Sequence, residues 1–214
     1  MYSVIIVAAG QSTRFEKGNK LLAKLKNQER VINQTCEVFL KNDRIENIIL
    51  VSSDEIHQIV KQKFENNIRF TFVNGGSSRF LSVKNGLEKC TTPKVLIHDG
   101  ARPFLKQDLL NEILDEVVQN NVVGVLPWIP VTNTLKRNFN GLKTVNREEY
   151  IQSQTPQAFD FKILNESYHN FKGEDSFDDC QVVEEYLENP QIRLVKGDIT
   201  NIKITFMQDL SINT

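Results

Sequence analysis

Short runs rich in β-branched residues, at 3–8, 45–51, 69–73, 94–97 and 122–126, alternate with longer segments whose apolar residues recur at helical spacing, near 31–41, 55–64, 79–88 and 107–119. In the last of these, Leu109, Leu110, Ile113, Leu114 and Val117 fall on one helical face. Strands separated by helices run parallel, because each crossover returns the chain to the start of the next strand. Right-handed crossovers then place helices on both faces of the sheet. The alternation therefore predicts a doubly wound, mostly parallel α/β domain, and such sheets take ligands at the carboxyl ends of their strands. At 214 residues, one domain is expected to span 1–214.

The alternation lapses after Val131. Asn140-Gly141 lies between two β-like runs, a hairpin signal. A hairpin over about 131–150 has too little apolar surface to stand alone in water. It is expected to protrude as an arm and lean on another subunit. Helices near 161–171 and 178–187 and strands at 193–195 and 202–205 complete the expected elements.

Net charge is −1, with 40% hydrophobic and 25% charged residues. A chain so near neutrality carries no broad basic surface, which argues against nucleic acid and anionic membrane as partners. Any cations that matter are placed locally. The opening apolar run is too short for a membrane span and lacks the cationic flank of a secretory leader. Cys36, Cys90 and Cys180 share no CxxC spacing and are odd in number, so reduced thiols and a cytoplasmic location are expected.

Chemistry is expected in the loops that follow the strands. The first strand ends in Ala8-Ala9-Gly10, with Arg14, Lys17 and Lys20 beyond. Small residues let main-chain N–H groups approach an anion that nearby cations neutralise; a tight turn with solvated basic residues would read the same. Neither GxGxxG nor GxxxxGKS/T is present. The third strand ends in Asn74-Gly75-Gly76-Ser77-Ser78-Arg79, with Ser82 beyond, which suits close approach of a flat ligand or a glycine turn capped by serine. The fourth runs into His98-Asp99-Gly100-Ala101-Arg102. A carboxylate there can hold a ribose hydroxyl or Mg²⁺ and the arginine a phosphate, or the two can form a structural ion pair. Strand alternation turns His98 away from Asp99, toward packing. Thr134 and Arg147 flank the hairpin, and Lys203 lies in TNIKIT, where a lysine in a strand loses solvation unless an anion meets it.

Together, AAGQSTRF, the following NK, NGGSSRFLSV, HDGARPF, TNTLKR, QTPQAF and TNIKIT resemble, in unbroken order along nearly the whole chain, the 2-C-methyl-D-erythritol 4-phosphate cytidylyltransferases of the non-mevalonate isoprenoid pathway. The resemblance implies a homodimeric nucleotidyltransferase with a Rossmann-like sheet and a hairpin arm reaching the partner. Its substrates would be CTP and a polyol phosphate, and its cofactor Mg²⁺, held mainly by the CTP phosphates with Asp99 as the candidate protein ligand. On matching positions it implies Arg14 and Lys20 as transition-state stabilisers, with Lys17 as the rival for Lys20. Arg147 and Lys203 would orient the sugar phosphate, helped by Asp99, Arg102, Thr134 and Thr155. Ala8, Ala9, Gly10, Gly76, Ser82 and Asp99 would bind the nucleotide.

Ser77, Asn146 and Phe177 depart from the family pattern. Asn146 leans toward the related ribitol-5-phosphate cytidylyltransferases, the alternative reading of the acceptor. A non-catalytic nucleotide-binding regulator would need the anion loops but not Arg147 and Lys203 together. The missing glycine fingerprint argues against an NAD-dependent dehydrogenase.

Overall fold

The computed structural model describes residues 1–15 and 18–212. Strands β1 (Tyr2–Val7), β2 (Ile45–Ser52), β3 (Phe70–Asn74), β4 (Lys94–Asp99) and β5 (Gly124–Pro130) form where β-branched runs predicted them. Helices α1 (Val31–Leu40), α2 (Asp54–Lys63), α3 (Arg79–Leu87) and α4 (Gln107–Glu116) form where the helical spacing did. Beyond β5 come a hairpin of β6 (Lys136–Asn138) and β7 (Leu142–Thr144), then β8 (Ile151–Ser153), β9 (Gln157–Asp160), α5 (Phe161–Asn170), α6 (Asp179–Tyr186) and β10 (Ile192–Lys196).

The main sheet is ordered β10-β5-β9-β4-β1-β2-β3, with β8 added against β5. β9 runs antiparallel to β4 and β5, and β8 antiparallel to β5, while the other pairings are parallel. Val7 at the end of β1 is in register with Val51 of β2 and Asp99 of β4. The winding direction reverses at β1, which opens a crevice between the carboxyl ends of β1 and β4.

Both faces of the sheet are covered. Val4 and Ile6 of β1 join an apolar cluster with α1, α2 and α4, whereas Ile5 joins a second cluster with α3, α5 and α6. This two-sided burial is why the strands read as nearly continuous apolar runs. The five residues of the α4 stripe are all buried, as their spacing predicted. Asp160 and Asp178 cap α5 and α6 through their side chains, and Ser78 caps α3.

The hairpin is a separate two-stranded sheet with every strand residue exposed. Asn140 at φ 53° and Gly141 at φ 98° supply the left-handed backbone that its tight connection needs. Phe139 and Leu142 are 71% and 72% exposed, so the arm carries apolar surface left largely uncovered by the described residues.

One expected element is absent. Residues 202–205 form no strand; they follow an irregular path whose main-chain bond to the domain body is Ile204 N–H to the Ala101 carbonyl at 2.8 Å. The β-like composition of TNIKIT reflects burial of Ile204 and Asn201 rather than ladder pairing. Conversely, QTPQAF contributes β9, a strand too short and polar at its start to stand out from sequence.

Ile5 and Ile6 are sequence neighbours, and both are wholly buried on opposite faces. Truncating either to alanine is expected to lower stability by about 2–5 kcal/mol in urea unfolding. Tolerance of one of the two would mean that one face of the sheet is uncovered.

Candidate active site

A cavity of about 300 Å³ opens at the ends of β1 and β4. Ala8, Ala9 and Gly10 line it after β1, Gly76, Ser77 and Ser82 between β3 and α3, and Asp99 at the end of β4. Lys20 and Lys203 reach it from two further segments. Between the loops after β1 and β3 glycine is a packing requirement: a Cβ on Gly75 would lie 2.1 Å from the Ala9 Cβ, so the two loops close on each other only with glycine there. Gly76 N–H donates to Ser82 Oγ at 3.1 Å, and that hydroxyl donates to the Ser78 carbonyl at 2.8 Å, which fixes the loop against the start of α3.

Asp99 is the electrostatic centre. Lys203 Nζ lies 3.0 Å and Arg102 Nε 3.2 Å from its Oδ2, with Arg79 Nε 3.8 Å from its Oδ1. Burial alone would raise the pKa of this carboxyl, but attraction to Lys203, Arg79 and Arg102 prevails and holds it well below the usual carboxylate range. Burial lowers the pKa of Lys20, and repulsion from Lys203 and Arg14 lowers it further against the pull of Asp99. Lys20, Arg79 and Lys203 outnumber Asp99 among the described lining residues, so the site is locally positive although the chain is nearly neutral.

Arg79 lines the cavity and escaped the sequence reading. Asp179 of α6 grips it bidentately, from Nη1 to Oδ1 at 3.1 Å and from Nη2 to Oδ2 at 2.6 Å. Asp179 is fully buried and also accepts from the Tyr168 hydroxyl at 2.6 Å. Burial works against the guanidinium, but the attraction of Asp179 exceeds it and raises the Arg79 pKa. The available trace in sequence was an acidic pair opening a helix 100 residues away, which one sequence does not connect to Arg79.

Thr155 and His98 brace Asp99. The Asp99 N–H donates to Thr155 Oγ1 at 3.0 Å; His98 Nε2 lies 3.1 Å from the Arg102 carbonyl, and Nδ1 lies 3.1 Å from Thr155 Oγ1. A carbonyl only accepts, so Nε2 carries the proton, Nδ1 accepts, and the Thr155 hydroxyl donates to it. The ring also meets Phe39 edge-on, with centroids 5.0 Å apart, so His98 packs as alternation predicted. Arg102 reaches onward to the Asn201 carbonyl at 2.8 Å.

Other expected residues do not line the cavity. Arg14 is exposed in a turn, and Lys17 lies outside the described residues. Thr134 and Arg147 are exposed on the arm, where an Arg147 Nη1–H donates to the Thr132 carbonyl. Among the described residues no cluster of three or more His, Cys, Asp or Glu is placed to hold a metal ion. Asp99 is the one carboxylate among the described lining residues, and its oxygens already face three cations. That donor set makes no protein cage for Mg²⁺.

Burial pulls the His98 pKa down to about 4, against an ordinary value near 6.5. Between these values the unfolded chain binds the extra proton, so the stabilisation is complete above about pH 6.5 and is lost as pH falls toward 4, roughly 3 kcal/mol in all. His57, also lowered by burial, acts in the same sense. His98→Gln is expected to flatten the dependence of unfolding free energy on pH in that window by up to one proton, about 1.4 kcal/mol per pH unit. An unchanged slope would mean that the ring titrates freely in the fold.

Comparison with known proteins places this geometry. Residues 2–214 match the family model described as 2-C-methyl-D-erythritol 4-phosphate cytidylyltransferase. The protein of that name from Clostridioides difficile is 35% identical over 225 residues, covering 99% of this chain and 92% of that protein. A bifunctional IspD/IspF enzyme from Bartonella tribocorum is 36% identical over 97% of this chain, which spans 54% of that longer protein. Among solved structures, the 4-diphosphocytidyl-2C-methyl-D-erythritol synthase of Anaerococcus prevotii superposes with a TM-score of 0.84 at 27% identity, over 99% of this chain and 93% of that one. With the switch-point cavity, the small-residue loops and the match along almost its whole length, the chain belongs to the 2-C-methyl-D-erythritol 4-phosphate cytidylyltransferase family.

Proposed function

We propose that this protein is a CTP-dependent cytidylyltransferase that joins CTP to 2-C-methyl-D-erythritol 4-phosphate, giving 4-diphosphocytidyl-2-C-methyl-D-erythritol and pyrophosphate. The observation that carries this reading is the positive cavity at the β1–β4 crevice, in which Lys20 and Lys203 face the small-residue loops around one buried carboxylate.

The chemistry asks for placement rather than proton removal. A phosphate monoester loses its second proton near pH 6, so its oxygen arrives ready to attack. In-line attack on the α-phosphorus of CTP forms the new P–O bond, breaks the bond to the bridging oxygen, and sends the electron pair away with pyrophosphate. His98 offers no base, because both ring nitrogens are bonded within the protein. Two polyanions must meet, and fixed cations offset their repulsion and stabilise charge that builds in the transition state.

In this reading the Ala8–Gly10 and Gly75–Gly76 loops, with Ser82, take the nucleotide, and Lys20 and Arg14 take its phosphates. Lys203 and Arg102, organised by Asp99 and Thr155, take the sugar phosphate. Arg147 and Thr134 would complete the site from the arm of a second copy, and the exposed Phe139 and Leu142 would be covered in that homodimer. Mg²⁺ would enter on the CTP phosphates, where it supplies further charge neutralisation. Three free cysteines suit a reducing cytoplasm, and no described helix is long and apolar enough to cross a membrane.

The test is pyrophosphate release from CTP with 2-C-methyl-D-erythritol 4-phosphate and, separately, ribitol 5-phosphate. Strong preference for the first supports the proposal; preference for the second reassigns the acceptor, and CTP binding without release leaves a nucleotide-binding regulator. Lys20→Ala is expected to lower kcat by roughly 10²–10³-fold while the KM for CTP changes only a few-fold. Nearly unchanged turnover in that variant would move the role to another cation of the same loop.

A further inference from the structure

Lys203 meets Asp99 from a segment with no regular secondary structure, so something other than a ladder must hold it. Much of that hold comes from one side chain. Gln154 is 3% exposed; its Nε2 donates to the Asp198 carbonyl at 2.9 Å and to the Asn201 carbonyl at 3.4 Å, while its Oε1 accepts the Asp198 N–H at 3.2 Å. The amide thus pairs with main chain in both directions, as a neighbouring strand would. Approach this close depends on Gly197, where a Cβ would lie 2.4 Å from Gln154 Oε1.

Gln154 is itself anchored to the sheet, its N–H donating to the Pro127 carbonyl at 2.8 Å. The segment closes on the site through Asn201, whose Nδ2 donates to the Thr155 carbonyl at 2.9 Å and whose carbonyl accepts from Arg102 at 2.8 Å. Gln154 does not line the cavity, and Lys203 does. Asparagine at this position would fall short by a methylene, and glutamate would set acceptors against two carbonyls.

We propose that Gln154 is a positioning residue for the transfer reaction, acting through residues 198–203 to hold Lys203 on the sugar-phosphate side of the site. This rests on the functional reading above. Gln154→Glu keeps the shape and removes the donor. It is expected to lower kcat/KM for 2-C-methyl-D-erythritol 4-phosphate by roughly 10–100-fold, with the KM for CTP within about twofold. Relative to the unmodified protein, activity should recover toward about pH 5.5, where protonation of the introduced carboxylate restores a donor. In a Lys203→Ala background the same change should cost clearly less than in the unmodified protein, because the two act largely through one group. Amide hydrogen exchange over 198–204 should accelerate about tenfold while β1 and β4 stay protected.

Losses that add in full to those of Lys203→Ala, an equal rise in the KM for CTP, or unchanged exchange over 198–204 would overturn the proposal. Exchange is read without turnover. Faster exchange in Gln154→Glu, with no reaction of the unmodified protein on this substrate pair, would therefore fault the functional reading and leave the tether intact.

Discussion

Three cations from three different parts of the chain converge on the buried carboxylate of Asp99, and the geometry of the cavity depends on that convergence. Arg79 comes from the start of α3, Arg102 from the loop after β4, and Lys203 from the irregular segment near the C-terminus. A carboxylate withdrawn from water is tolerated only when its charge is answered nearby, and removing one partner of such a group is costly. The dependence is mutual. In the proposed function Asp99 holds the cations at fixed places around a site that receives two polyanions, so little reorganisation would remain for the moment of reaction.

The frame explains why this carboxylate sits where it does. The strand order reverses at β1, and Asp99 ends the strand on the other side of that reversal. β9 pairs antiparallel with β4, which carries Thr155 to the Asp99 N–H and His98 Nδ1. From Thr155 the bonding passes to Asn201, and Arg102 returns it to Asp99. The result is a closed circuit joining β4, the segment before β9 and the segment bearing Lys203. Arg79 is held separately, by Asp179 against Tyr168.

What was legible in sequence follows the reach of each signal. Periodicity is local, so β1–β4 and α1–α4 emerged close to their observed bounds, while β5 runs over 124–130 and not the expected 122–126. The glycines and small residues after β1 and β3 were legible because the close approach they permit is a property of the residue itself. Arg79 was missed because its meaning lies in Asp179, far along the chain, and Gln154 because an amide next to a proline-containing run looks like any polar residue. The strand expected at 202–205 failed for a related reason: the N–H groups of Ile202, Ile204 and Thr205 go singly to the Thr200 carbonyl, the Ala101 carbonyl and the Asp209 carboxylate instead of to a ladder, which composition does not display. Thr134 and Arg147, expected from the resemblance to bind the sugar phosphate, lie on the exposed arm and not at the cavity of their own chain.

The most direct test of the Asp99-centred account is steady-state pyrophosphate release by Asp99→Asn, with CTP and 2-C-methyl-D-erythritol 4-phosphate varied in turn. Two electrostatic effects oppose each other there. Removing a negative charge from a site for polyanions should help binding, whereas releasing Lys203 and Arg102 from their common partner should disorder it, Arg79 staying held by Asp179. Placement is expected to win, with kcat/KM for the sugar phosphate falling about 10²-fold or more. Unchanged or faster turnover would contradict it, because the cations would then hold their places without the carboxylate.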